Sequence, residues 1–232
     1  MTYILIGFIF GFSIPYLARR FAKFMPATMP YALYRIFKQN KTVSKEKRSQ
    51  NNKYLKLKQK YFMRSFGWGI VVSAFSFYTY ITFQPIDVSW FVFLIMMLFL
   101  LMEIDNRMML LPDLITLPLL ISGFAYASFN GHMFGGDIIV ATQDSVLGAI
   151  KGYLVPTIAA LFMVRKNSEA FGGGDIKLLS AIGAWLGSNT IPIIILISCF
   201  IFAITCFVNK KRAGAFGPSI VIATLIAIFT LI

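Results

Sequence analysis

The chain has 232 residues, of which 58% are hydrophobic and only 13% charged, and its mean hydropathy is +0.74. A soluble domain of this size has too little interior to hide that much apolar sequence, so the composition excludes a soluble globular protein and points to an integral membrane protein. The formal net charge of +13 is then first a signal of topology. It does not argue for nucleic acid, because no stacking motif or nucleic-acid-binding fold accompanies it.

A membrane span needs about 20 apolar residues, fewer where it is short or re-entrant. Eight stretches qualify: 2–17, 66–84, 88–104, 114–129, 145–164, 176–187, 190–208 and 213–232. The first has no basic residue before its apolar run, and Arg19, Arg20 and Lys23 follow it. That is the reverse of a secretory signal peptide, so a retained span with its N-terminus outside is expected. Cations mark the inner ends of spans. Residues 19–64 hold fourteen of the 22 Lys and Arg, and Arg107, Arg165, Lys166, Lys177, Lys210, Lys211 and Arg212 mark the other inner ends. The opposite connections carry Asp87, Asp137 and Asp144 and no cation. Alternation then holds with both termini outside. Lys151 is the exception, within the fifth stretch, either snorkelling outward or facing the bundle.

The expected organisation is therefore all-α, a polytopic transmembrane helix bundle of about eight spans. It comprises a first span over 1–17, a basic cytoplasmic segment over 18–65 and a membrane-embedded domain over 66–232. The basic segment contains one acid, Glu46. Its aromatic residues, Tyr31, Tyr34 and Phe37, then Tyr54, Tyr61 and Phe62 with Leu57, suit apolar faces of helices lying on a bilayer, and its charge suits anionic lipid. Cys199 and Cys206 lie seven residues apart in one apolar run, about 10 Å along a helix, too far for a disulfide. They read as buried apolar fillers. No group has metal-ligand spacing, and the single His132 sits in a glycine-rich outer loop.

Asp and Glu total only nine, so a carboxylate at a membrane edge is a functional candidate. Asp105 and Asp175 both fall at inner ends of spans and hence at similar depth. Asp175 follows Gly172, Gly173 and Gly174. These glycines permit positive φ and close approach of a substrate backbone. The sixth stretch is also too short to cross unless Asp175 begins below the surface, beside a wet cavity. Two facing carboxylates at a partly dry site share one proton, which supplies one general base and one general acid. The ionised member would activate water and the protonated one polarise a carbonyl, as in aspartic proteases. No Ser–His or Cys–His set competes. Glu103 and Arg107 are spaced to pair on a helix. Asp113, after Pro112 and ahead of a span, suits a helix N-cap, with a role in the site as the other reading. Lys177 is expected to meet Asp175 or a substrate acid.

Ile104-Asp105, then Leu111-Pro112-Asp113, then Gly172-Gly173-Gly174-Asp175-Ile176-Lys177-Leu178-Leu179, with Gly183-Ala184-Trp185-Leu186-Gly187 and Phe216-Gly217-Pro218, resemble the bacterial type IV prepilin peptidase family, intramembrane aspartic proteases with a GxGD motif. The resemblance covers roughly residues 88–225. It implies that Asp105 and Asp175 are a catalytic pair. The pair would cut the basic leader of a type IV prepilin or pseudopilin precursor at the cytoplasmic face of the bacterial inner membrane, with no cofactor for proteolysis. Many full-length members carry two CxxC pairs in the inner N-terminal region and also methylate the new N-terminus from S-adenosylmethionine. Segment 18–65 has no cysteine, so that metal site is not expected, and S-adenosylmethionine is implied only if methyl transfer is retained. Presenilin-like proteases share GxGD but pair it with Tyr-Asp and Pro-Ala-Leu motifs that this chain lacks. On the residues alone two other readings stay open. One is a membrane transporter whose carboxylates bind cations or relay protons. The other is a non-catalytic pilus or secretion assembly component recruiting partners through its basic segment.

Overall fold

The computed structural model describes residues 2–24, 52–83, 85–131, 137–164, 172–210 and 214–230. Tyr31, Tyr34, Phe37 and His132 lie outside the described residues, as do the side chains of Tyr54 and Leu57. The described residues form eight α-helices and no strand: α1 (Thr2–Phe24), α2 (Asn52–Thr82), α3 (Pro85–Met108), α4 (Asp113–Asn130), α5 (Ile138–Val164), α6 (Gly173–Leu186), α7 (Thr190–Asn209) and α8 (Gly217–Thr230). Four of them, α1, α3, α5 and α7, are long and apolar enough to cross a membrane. The protein is a multi-pass, all-helical membrane protein.

The chain divides into two compact units, Met1–Glu103 and Ile104–Ile232. In the first, α1 and α2 lie closely side by side. A Cβ at Gly11 would stand 2.6 Å from the Trp68 carbonyl oxygen, so the two backbones approach as only glycine allows. Small residues set such contacts in membranes, where lipid tails are as apolar as leucine and close packing must hold helices together. Phe99 of α3 meets the rings of Trp68 and Phe75 edge-on at 5.4 and 5.3 Å. Glu103, fully buried, accepts from Arg64 Nη2 at 2.9 Å, a partner on another helix.

In the second unit α6 is the element everything else surrounds. Its 14 residues rise about 21 Å, short of a hydrocarbon core of about 30 Å, and the nine from Leu178 to Leu186 are all buried. α4 and α5 flank it, and α7 and α8 pair with each other and touch it. Its contact with α5 runs along a small-residue seam, Gly148 and Gly152 against Gly183 and Leu179, with no space for a Cβ at any of the three glycines. Hydrogen bonds lock the seam: Ser145 Oγ donates to the Ala184 carbonyl at 2.6 Å and Ser180 Oγ to the Ala149 carbonyl at 2.9 Å. On the other side Trp185 stacks on Tyr126 and donates Nε1–H to the Leu119 carbonyl at 2.8 Å. Polar contacts of this kind are worth roughly 1 kcal/mol each inside a membrane.

α7 is the opposite case. Only 17% of its span is buried, and Leu196, Phe200, Phe207 and Val208 point outward. This corrects the reading of its cysteines: Cys199 is exposed and Cys206 half-exposed, both free thiols on a largely unburied helix rather than core fillers. Lys151 is likewise exposed on α5 and so does not face the bundle.

Candidate active site

Four helix ends meet at one end of the second unit. α3 stops at Met108, and Met109 takes a left-handed conformation (φ 52°) that turns the chain out of the helix. Residues 109–112 then lead into α4. The Pro112 carbonyl accepts from the N–H groups of Ile115 and Thr116 at 3.0 and 3.1 Å, which makes Pro112 the N-cap. Asp113 is therefore the first helical residue and not the cap expected for it. A carboxylate in that turn still profits from the positive end of the helix dipole. Its two oxygens are also occupied: Lys177 Nζ donates to both, each at 2.7 Å. Of the two partners expected for Lys177, Asp175 or a substrate acid, the first gives way to Asp113. Lys177 lies one turn beyond the head of α6 and reaches across to α4. With side chains 42% and 40% exposed, the pair contributes about 1 kcal/mol or less and matters chiefly as a tie between two helix heads.

The glycine run works differently from expectation. Gly172 is the N-cap of α6 in extended backbone (φ −71°, ψ 131°), and the described glycines with positive φ are Gly131 and Gly187, neither of them in the motif. Close approach is what the run provides. A Cβ at Gly174 would stand 2.8 Å from the Leu111 Cβ and 3.3 Å from its backbone N and O, so the 109–112 loop lies against the first turn of α6. Around Gly173 there is open space. Asp175, third in the helix, takes a hydrogen bond from the Gly172 backbone N–H, the acidic half of a capping box.

Asp105 comes to the same place from α3. It is 3% exposed, and its Oδ2 accepts the Gly217 N–H at 2.8 Å. The Asp105 charge acts on Asp175, which lies outside the four long apolar helices. Burial first, and then that charge, push the Asp175 carboxyl up to about 7, against the Gly172 hydrogen bond that favours ionisation. Two carboxylates in this relation hold one proton between them near neutrality. Asp105, Asp113, Asp175, Lys177 and Gly172–Gly174 thus belong to one cluster. Sequence reading assigned no role to Gly217. The signal was there, a Gly-Pro pair opening an apolar helix, but nothing in it named Asp105 as the acceptor. Among the described residues no group of three His, Cys, Asp or Glu could hold a metal ion.

A family model of type IV leader peptidases matches residues 92–207, half of the chain. The chain belongs to the type IV leader peptidase family. That match contains Asp105, the 109–113 loop, the glycine run, Asp175 and Lys177, and it ends before Gly217. Among curated family proteins, one from Aeromonas salmonicida named prepilin leader peptidase/N-methyltransferase is 38% identical over 133 residues, 54% of this chain and 43% of the relative. Proteins of the same name from Neisseria gonorrhoeae and Vibrio cholerae are 37% and 32% identical, over 55% and 58% of this chain and 43% and 53% of the relatives. The matched stretch thus spans about half the length of these relatives. No solved structure matches the chain.

Proposed function

We propose that this protein is a prepilin-type leader peptidase, an aspartic endopeptidase of the bacterial inner membrane that removes the basic leader of a type IV pilin-like precursor. One observation carries the reading: Asp105, buried, and Asp175, half-buried, come from different helices and interact electrostatically, with the Asp175 carboxyl up to about 7. That is the condition for one general base and one general acid at neutral pH. The charged carboxylate takes a proton from water as the oxygen attacks the scissile carbonyl. The protonated carboxyl hydrogen-bonds the carbonyl oxygen and stabilises the tetrahedral intermediate. Collapse breaks the C–N bond, and the departing amine takes a proton from the pair. Gly174, the loop at 111 and the Asp113–Lys177 tie shape the entry, and an extended substrate backbone would lie across the open space at Gly173.

The cation distribution supports a site facing the cytoplasm, because the ends of α3 and α6 that bear the aspartates also carry Arg107 and Lys177. It supports anionic lipid around the basic segment as well. The relatives' names include N-methyltransferase, so methyl transfer from S-adenosylmethionine to the new N-terminus is a second activity to test. Mass spectrometry of a co-expressed pilin precursor's N-terminus reads both at once. Leader removal by the native chain and its loss in Asp105→Asn and Asp175→Asn is the expected result. Full processing by either variant defeats the reading. Absence of cleavage by purified protein in detergent would favour a transporter or an assembly component.

A further inference from the structure

Asp105 stands in an unfavourable place by the rules of its own helix. It lies in the last turn of α3, where carbonyls lack intrahelical donors and the macrodipole presents partial negative charge. It is also 3% exposed, so solvent cannot offset that field. The compensation comes from the other end of the second unit's sequence. Gly217 opens α8, and its N–H reaches Asp105 Oδ2 at 2.8 Å. N–H groups in the first turn of a helix have no acceptor within it. Here Pro218 has no N–H, and the Ser219 N–H goes to the Phe216 carbonyl at 3.0 Å, so the Gly217 N–H is the donor turned outward. The positive end of the α8 dipole arrives with it. The approach requires glycine: a Cβ at 217 would stand 2.6 Å from Oδ2 and 3.0 Å from Cγ of Asp105. The atoms it would meet belong to the Asp105 side chain itself, so relief comes only by moving the carboxylate.

We propose that Gly217 is a positioning residue of the aspartate pair: its N–H and the head of α8 hold Asp105 as the charged member, the base that activates water, and leave the shared proton to Asp175. This rests on the two-aspartate reading and deepens it. An N–H donates only, and a donor bonds a charged carboxylate more strongly than a neutral carboxyl, so this contact favours the ionised form of Asp105. Burial, the larger cause, favours the neutral form of Asp175 whichever state Asp105 takes. The other charged groups on the elements that meet here are Asp113 on α4, Lys177 on α6 and, on α3 itself, Glu103 and Arg107 near Asp105 and Asp87 at the far end; α8 carries none. The family model ends at 207, and Gly217 lies beyond it in the Phe216-Gly217-Pro218 stretch that resembles the family pattern.

Gly217→Ala in the full chain tests the proposal through steady-state cleavage of a precursor peptide in detergent, with thermal melting in parallel. Losing one preorganised donor costs on the order of a hundredfold in kcat. The expected result is that loss with KM within about twofold, since the donor touches Asp105 and not the substrate, and with the acid limb of the pH profile moved upward. Unchanged kcat and pH profile in a folded variant would overturn it. Should the variant not fold, the native chain labelled with 15N-glycine still decides. The Gly217 amide proton resonance should shift with pH as Asp105 titrates, and a pH-independent resonance refutes the assignment. That signal needs no substrate. A titrating amide in a protein that cleaves nothing would therefore retire the peptidase reading and leave the Asp105–Gly217 coupling standing.

Discussion

The two aspartates sit at helix ends of opposite polarity, and the contrast explains the shape of the site. Asp175 is in the first turn of α6, where the dipole and the Gly172 N–H both welcome a carboxylate, yet partial burial and the Asp105 charge push its carboxyl up to about 7. Asp105 is in the last turn of α3, where the dipole opposes a carboxylate, and a third helix has to deliver an N–H to it. One acid is placed by its own motif and the other by a long-range contact across 112 positions. Local sequence can therefore prepare one half of such a pair but not the other.

The sharpest way to break this comparison is to remove either carboxylate. Asp105→Asn and Asp175→Asn should each lower cleavage by at least about a thousandfold, and the double variant should be no worse than either single, because the two act as one unit. Additive losses in a peptide assay would show that the residues do not work as a pair.

Next in size is the glycine run, where two neighbours should part company. Gly174→Ala places a methyl against Leu111 with no room for it and should cost roughly 1–3 kcal/mol of stability as well as activity, as overpacking does. Gly173→Ala enters open space and exchanges a poor helix former for a good one, a gain of about 1 kcal/mol in propensity. Melting curves of the two variants should move in opposite directions; equal losses would mean that the motif demands glycine for conformation rather than for contact.

The pH dependence sharpens the division of roles. Asp175 must hold its proton to act as the acid, so kcat should fall as pH rises through about 7, roughly tenfold per unit beyond it. A profile flat well into the alkaline range would remove Asp175 from that role.

The smallest effect belongs to the Asp113–Lys177 tie. Half-exposed ion pairs contribute about 1 kcal/mol or less, so Asp113→Asn or Lys177→Met should reduce turnover only a few-fold. The charge-swapped double variant should recover part of the loss. A loss as deep as that of Asp175→Asn would place Asp113 within the chemistry itself.

Much of this molecule could be read from composition and spacing alone. The membrane class, the helical architecture and the candidacy of Asp105 and Asp175 follow from apolar runs too long for water and carboxylates too costly to keep without use. Those are properties of residue type and period, and no partner has to be known. What could not be read there depended on partners distant in the chain. Asp113 looked like a cap because a cap is a local pattern; Lys177, 64 positions away, decides its hydrogen bonds. Glu103 also takes Arg64, a partner from another helix that its own i,i+4 spacing could not show. The two cysteines seemed buried because apolar runs usually are, but which face of α7 meets lipid is a matter of packing. Gly217 stood in view beside its proline with no role, since a backbone N–H carries no signature in residue type. It acquires one only when α8 is brought up against the end of α3, and only tertiary contact can bring it there.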